Sequence, residues 1–376
     1  MRITSIESRI LGYDVREAFG AAGPPEGISS TWYRFSFDVF HTDEGIDGWT
    51  MQNTNLPDGA AMGQILHSVY APYLIGQDPM QGEALWQAMR RLNRHAYNLS
   101  DGVAGTIDVA LWDIRGKVAG LPIAALLGQA RDRIPAYATA RNVQPTPAQV
   151  YEEARQRKAE GYHGFKVQFW DGIERDIPRF RAAREAVGPD FPLMEDGEGT
   201  YSFTQALAVG RVLGELGHTW FEEPIPDRQT GMLRRLTDEL AIPILSGETL
   251  RVHELAEGMR RGDFDIARGD VHMKEGITGM HKAAGIADLL GYELEVHGII
   301  QPLLAIANLH VSCTMSNSRY TEVMHPVYGK GMLGDLLAID AEGYRHLPTG
   351  PGLGVEMDWD WDWIDDVTQE VIRTPA

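Results

Sequence analysis

Residues 191–248 read FPLMEDGEGTYSFTQALAVGRVLGELGHTWFEEPIPDRQTGMLRRLTDELAIPILSGE, and they hold three short apolar runs that each meet an acid. Asp196 ends FPLMED, Glu222 lies in WFEEP, and Glu248 closes IPILSGE. The spacing is regular: 26 residues separate Asp196 from Glu222, and 26 separate Glu222 from Glu248. Short apolar runs alternating with helix-length amphipathic stretches are the pattern of parallel βα units. When such units close into a barrel, the C-terminal strand ends share one face, so the three carboxylates converge there. Solvated acids at strand ends are the ordinary alternative, and regularity across consecutive units argues against it.

The same alternation extends in both directions. From Ile134 to Glu322 the apolar runs are AYAT, FKVQF, FPLM, WFEE, IPIL, FDIA, ELEV and YTEV. Thr146, Pro147 and Gly161 mark the first crossover helix as N-cap, first helical residue and stop. Eight units are the count a closed barrel requires. An open doubly wound sheet is the alternative fold, but no G-x-G-x-x-G follows the first strand. Upstream, Arg2 to Ile10 and Trp32 to Phe40 read as strands, with mobile loops at Phe19 to Ser30 and Met51 to Gly59. Three helix-like segments follow, the last from Ala104 to Ala119, and Gly120 and Pro122 break it. In the tail, MDWDWDWIDD alternates like an edge strand with one packed face, and GPGLG reads as a turn rather than a phosphate cradle.

Bulk composition narrows the classes. The chain has 376 residues, 43% hydrophobic and 23% charged, with a net charge of −19. That charge argues against a nucleic-acid partner, which needs clustered Lys and Arg. No apolar stretch approaches the roughly 18 residues of a membrane helix, and MRITSIESRIL alternates like a strand without a signal core. The single cysteine, Cys313, rules out an internal disulfide framework and fits a cytoplasmic setting. An acidic surface repels anionic substrates at long range, so any bound anion needs a local attraction such as a metal ion.

Three converging carboxylates repel one another unless a cation joins them. Oxygen-only donors favour a hard ion, and Mg²⁺ is the usual choice when substrate oxygens complete the shell. Around them the chain offers further groups at strand ends. Lys166 lies in GFKVQFW, on the same face as Gln168, where an ammonium is costly to bury unless paired. Asp270 ends the sixth run, His297 the seventh and Glu322 the eighth. A histidine beside an aspartate on the next strand makes a dyad in which the carboxylate orients the ring and raises its basicity. Most of the 12 histidines suit structural roles, His253, His272 and His310 among them.

Taken together, these pieces resemble the enolase superfamily, in its mandelate racemase subgroup. ALWDIRGKVAGLPIAALLG (110–128) resembles that family's junction between capping domain and barrel. LMEDGE, WFEEP and SGE resemble its metal-ligand segments. RGDVHMKEGITG, VHG and YTEV resemble those bearing the dyad aspartate, the dyad histidine and the last-strand glutamate, and GPGLGVEMD resembles the return to the capping domain. The resemblance implies an α/β fold: a modified TIM barrel, (β/α)7β, over residues 126–325. An α+β capping domain would span residues 1–125, completed by a C-terminal segment, residues 326–376. It implies that Asp196, Glu222 and Glu248 bind Mg²⁺, with Glu223 turned to the other face. His297, oriented by Asp270, would act as general acid or base, with Lys166 on the opposite side of the substrate. Glu322 would donate a hydrogen bond to the substrate carboxylate. Family members abstract the proton α to a carboxylate, with Mg²⁺ stabilising the enediolate, and they are commonly homo-oligomers. The two capping loops, Phe19 among their residues, would close over the substrate.

Two departures from the family pattern sharpen the function. Many racemases and lactonizing enzymes of the family carry Lys-x-Lys on the second strand, whereas here the pair is Lys166-x-Gln168. Glutamine neither takes nor gives a proton at neutral pH, so a two-base racemisation loses one agent. Dehydration of an α,β-dihydroxy acid does not need it. Glu198, where the family often has Asn, is a candidate to contact a sugar hydroxyl or to protonate the leaving group. The expectation is a Mg²⁺-dependent dehydratase acting on a small carboxylate, an aldonic or aldaric sugar acid, and giving a 2-keto-3-deoxy acid. A racemase or epimerase on the same scaffold, and a non-catalytic ligand-binding descendant, are the rivals.

Overall fold

A computed structural model describes residues 1–16, 31–52, 60–96, 101–140, 145–324, 334–355 and 360–375. The chain opens with strands β1 (Ile3–Asp14), β2 (Trp32–Thr42) and β3 (Gly48–Met51). Helices α1 (Ala60–Ile65), α2 (Ala71–Leu74), α3 (Gly82–His95), α4 (Asp101–Ala119) and α5 (Ile123–Leu127) follow. Strands β4 (Arg133–Thr139), β5 (Gly164–Val167), β6 (Leu193–Asp196) and β7 (Phe221–Glu222) then alternate with α6 (Pro147–Ala159), α7 (Ile173–Val187) and α8 (Phe203–Glu215). Next come α9 (Thr230–Glu239), β8 (Ile244–Ser246), α10 (Val252–Arg261), β9 (Ile266–Gly269) and α11 (Gly276–Leu290). The series ends with β10 (Glu293–Val296), α12 (Pro302–Ser312) and β11 (Thr321–Val323). The tail carries β12 (Tyr344–His346), α13 (Trp361–Val367) and β13 (Thr368–Thr374).

Strands β4 to β11 pair in parallel with their neighbours, and β11 returns to pair with β4, so eight strands close a barrel. Seven helices, α6 to α12, connect them, which is the (β/α)7β order. The α6 boundaries follow local chemistry: Thr146 and Gln149 form a reciprocal capping box, Pro147 opens the helix, and Gly161 turns at φ +92°. A separate antiparallel sheet has the order β13-β1-β2-β3, so the last strand of the chain lies against the first. No helix among the described residues is long and apolar enough to cross a membrane.

One expectation in the tail fails. The Trp/Asp alternation read as an edge strand forms helix α13 instead, because Asp360 caps it by accepting the Trp363 N–H at 2.9 Å. Residues 357–359 of that motif lie outside the described residues, as do Phe19 and most of both proposed capping loops.

Side-chain alternation stratifies the barrel interior. Tyr137, Met194, Trp220, Leu245 and Ile266 form an apolar cluster of their own. Two residues further along β6, β7 and β9 stand Asp196, Glu222 and Arg268, so the apolar plug gives way to charge towards the C-terminal mouth. Helix α4 docks the first unit onto the barrel. Asp108 accepts the Thr278 N–H at 2.8 Å and its hydroxyl at 2.9 Å, and Trp112 donates to that hydroxyl at 2.9 Å. Gly105 permits the approach, since a Cβ there would stand 2.7 Å from the carbonyls of Val271 and His272. That contact anchors the loop that follows Asp270.

Candidate active site

Of the ten residues singled out from sequence, nine lie among the described residues, and all nine sit at or just beyond barrel strands. Asp196 and Glu222 end β6 and β7, Glu248 follows β8 by two residues, and Asp270 and His297 directly follow β9 and β10. Parallel register pairs Val296 with Gly269, and the His297 N–H donates to the Gly269 carbonyl at 2.9 Å. The ladder itself therefore brings Asp270 and His297 together. Asp270 Oδ2 stands 2.8 Å from His297 Nδ1, which leaves Nε2 facing the mouth, 3.6 Å from Glu248 Oε2. Burial alone would lower the His297 pKa, but Glu248 and Asp270 outweigh it and push it up to about 9. Burial opposes ionisation of Asp270 as well, and its bond to His297 still brings it to about 2.

Lys166 is buried and answers the cost of its own burial with three ion pairs. Its Nζ lies 3.1 Å from Asp196 Oδ2, 3.3 Å from Glu222 Oε2 and 2.9 Å from Glu322 Oε1. Against the desolvation that would lower it, Glu222, Glu322 and Asp196 hold its pKa well above the ordinary value. It is therefore a fixed ammonium. Gln168 donates to Asp196 at 3.3 Å and also to Glu198.

Two residues of the cluster have surroundings that the chain pattern does not show. Glu322, expected to donate a hydrogen bond, receives Lys166, Arg268 Nη2 at 2.7 Å, the Gly298 N–H at 2.7 Å and the Thr139 hydroxyl. Burial opposes its charge, yet Lys166 and Arg268 hold it well below the usual carboxylate range, and an ionised carboxylate only accepts. Glu223, expected on the other face, has φ +38° just past the end of β7, so strand alternation no longer governs it. Burial first, then Glu248, Asp227 and Asp196, push it up to about 12.

Sequence reading missed four positioning residues. Arg268, fully buried, sets Nε 2.8 Å from Glu222 Oε1 and Nη1 3.1 Å from the Tyr137 hydroxyl. Lys274 donates to the carbonyls of Gly247 at 2.9 Å and Glu248 at 2.5 Å. Asp227 accepts the Gly247 and Thr249 N–H groups, each at 2.7 Å. Asn308 accepts the Val271 N–H at 2.9 Å and donates to the His297 carbonyl at 3.0 Å. Only Arg268 had a legible signal. It is a charged residue inside FDIARGD, the same oddity that drew attention to Lys166.

Among the described residues no group of three or more His, Cys, Asp and Glu side chains stands ready to hold a metal ion between them. The chemistry of the donors nevertheless fits a hard cation. Among the described residues, six carboxylates (Asp196, Glu198, Glu222, Glu223, Glu248 and Glu322) meet three buried side-chain cations, Lys166, Arg268 and Lys274. The deficit is visible in their ionisation. Burial, with Asp196 and Glu322, lifts Glu222 to about 7 against the pull of Arg268 and Lys166. Asp196, then burial, lifts Glu198 to about 8, and burial with Asp270 and Asp196 raises Glu248. Extra positive charge at Asp196, Glu222 and Glu248 would relieve that strain.

Comparison with known proteins fits this geometry. The family model described as enolase C-terminal domain-like matches residues 149–361. The model of the mandelate racemase / muconate lactonizing enzyme N-terminal domain matches residues 35–128. An arabinonate dehydratase of Saccharolobus solfataricus is 33% identical over 325 residues, covering 83% of this chain and 86% of that protein. A D-galactarolactone cycloisomerase of Agrobacterium fabrum is 30% identical over 375 residues, covering 94% and 96%. The crystal structure of a D-glucarate dehydratase from Agrobacterium tumefaciens, complexed with magnesium, is 31% identical and superposes with a TM-score of 0.86. It covers 98% of this chain and 100% of that one.

Proposed function

The chain belongs to the enolase superfamily, in its mandelate racemase subgroup, and from that premise we propose that it is a sugar-acid dehydratase, a hydro-lyase giving a 2-keto-3-deoxy acid. The observation that carries this reading is the asymmetry of proton-transfer groups around the acid cluster. His297 presents one imidazole nitrogen, backed by Asp270 at 2.8 Å. Lys166 is an ammonium bound to three carboxylates and Gln168 is an amide, so neither supplies a second base among the described residues. Two relatives named above are dehydratases of sugar acids, which supports the same class.

His297 Nε2 takes the α-proton of a 2,3-dihydroxy acid, and the C–H electron pair moves into the α-carbon–carboxylate system. The pair then forms the α,β double bond as the β carbon–oxygen bond breaks. His297 returns its proton to the departing hydroxyl, which leaves as water. The enol that remains tautomerises to the 2-keto-3-deoxy acid. Mg²⁺ at Asp196, Glu222 and Glu248 would supply the charge that makes a proton α to a carboxylate acidic. Lys166 would add a fixed positive charge on the opposite side, Asp270 would keep the imidazole turned to the substrate, and Gln168 and Glu198 would meet sugar hydroxyls.

Incubating the Mg²⁺-loaded protein with a panel of aldonic acids, aldaric acids and aldarolactones, and assaying 2-keto product, tests the reading. Product from at least one sugar acid is expected. No turnover across the panel, together with α-proton exchange into D₂O on some other carboxylate, would replace dehydration with racemisation.

A further inference from the structure

We propose a second anion site, distinct from the barrel mouth, in the cleft between α3, the start of α4 and the start of α10, with a hydroxylated carboxylate as its ligand class. The cleft has a volume of about 300 Å³, and Arg90, Arg91, Arg94 and Arg251 line it with Asn93, Asp101 and Glu275. Two of the four guanidiniums are already answered. Arg90 Nε lies 2.8 Å from Glu275 Oε2, and Arg251 Nε lies 2.7 Å from Asp101 Oδ2. Among the described residues Arg91 and Arg94 have no carboxylate partner, although they sit three apart on one helix and so face the same side. Two unanswered guanidiniums beside neutralised acids leave the cleft positive in a chain whose net charge is −19. Arg forks select carboxylate or an equivalent oxyanion.

Asn93 narrows the ligand further. It is 4% exposed, its Nδ2 donates to Asp101, and among the described residues its Oδ1 has no partner. Turning the amide over would set its oxygen against the Asp101 carboxylate, so the cleft holds a buried acceptor that needs a donor. A buried acceptor left without one is costly. An anion that also carries a hydroxyl answers both requirements at once, whereas a bare oxyanion answers only the arginines. The cleft spans both units, with α3 and α4 from the first and α10 from the barrel, so its occupant would tie one to the other. The inference stands on these contacts and does not depend on the reaction proposed above.

The test is calorimetric titration of the Mg²⁺-loaded full chain with D-gluconate and, separately, with sulfate. It is done in a His297→Asn background so that turnover adds no heat. The Arg91→Ala/Arg94→Ala variant should bind one equivalent of gluconate fewer than its parent. Asn93→Leu should weaken that equivalent about tenfold while leaving sulfate binding unchanged, since sulfate brings no hydroxyl donor. Equal stoichiometry and affinity for gluconate with and without the two arginines would overturn the site. Sulfate binding that depends on the arginines, without a matching gluconate equivalent, would overturn the ligand class.

Discussion

Arg268 Nε lies 2.8 Å from Glu222 Oε1, deep in the barrel where neither side chain reaches solvent. The same guanidinium reaches Glu322 at 2.7 Å, so one residue of β9 holds acids from β7 and β11 in register. Each carboxylate gains a cation in a low-dielectric site, and without it both would depend on the single ammonium of Lys166. Removing one partner of a buried pair costs about 3–5 kcal/mol. Arg268→Leu should therefore lower the urea midpoint sharply and weaken Mg²⁺ affinity, because Glu222 loses its orientation. Arg268→Lys, which keeps the charge but not the fork, should recover part of the stability and less of the metal affinity. Full Mg²⁺ affinity in a folded Arg268→Leu protein would refute the positioning role.

The 2.8 Å bond between Asp270 and His297 gives a second expectation. His297→Asn should abolish product formation, and Asp270→Asn should reduce kcat by about 10²–10⁴ with a smaller change in KM. Both variants should stay folded by circular dichroism, with His297→Asn unfolding at lower urea because it leaves the buried Asp270 carboxylate without its partner. Undiminished turnover in His297→Asn would show that the dyad is not used.

Metal binding should be readable at His297 itself. Glu248 makes the largest upward contribution to its pKa of about 9. If Glu248 gives its charge to Mg²⁺, that contribution falls, and the imidazole should titrate lower in the loaded protein than in the metal-free one. A histidine-detected NMR titration with and without Mg²⁺ measures this directly. An unchanged His297 titration would remove Glu248 from the ligand set.

Acid sensitivity should come partly from a histidine far from the site. His310 is fully buried on α12, with Nδ1 accepting the Ala124 N–H at 3.2 Å and Nε2 donating to the Leu353 carbonyl at 3.1 Å. Both nitrogens are satisfied only in the neutral ring, and burial lowers the pKa from 6.5 to about 4. The folded protein thus resists the proton that the unfolded chain accepts. Its contribution is fully present above pH 6.5 and is lost as pH falls from 6.5 to about 4, amounting to about 3 kcal/mol. His218, lowered to about 3 by burial, acts in the same direction. Urea unfolding at pH 7 and pH 5 should show a smaller acid loss in His310→Gln than in wild type. Equal losses would place the acid sensitivity elsewhere.

The regular 26-residue ladder and the eight apolar runs made the barrel legible from sequence, because strand and helix periods are local properties of the chain. The same periodicity placed Asp196, Glu222, Asp270 and His297 at strand ends. It failed at Glu223 and in the Trp/Asp tail, where a single positive φ and a single capping aspartate override alternation.

Sequence by itself determined which residue types stand at the barrel mouth, and with Gln168 it removed one candidate base. Tertiary structure alone decided how those residues are charged. Arg268 meets Glu222 and Glu322 across two strands, Lys166 draws in three carboxylates from three strands, and Glu322 receives Lys166, Arg268, Gly298 and Thr139. The cleft where α3 meets α10 is equally invisible in the chain, since its arginines are about 160 residues apart in sequence. Ionisation depends on burial and on charges within a few ångströms, and those distances exist only after the strands have closed.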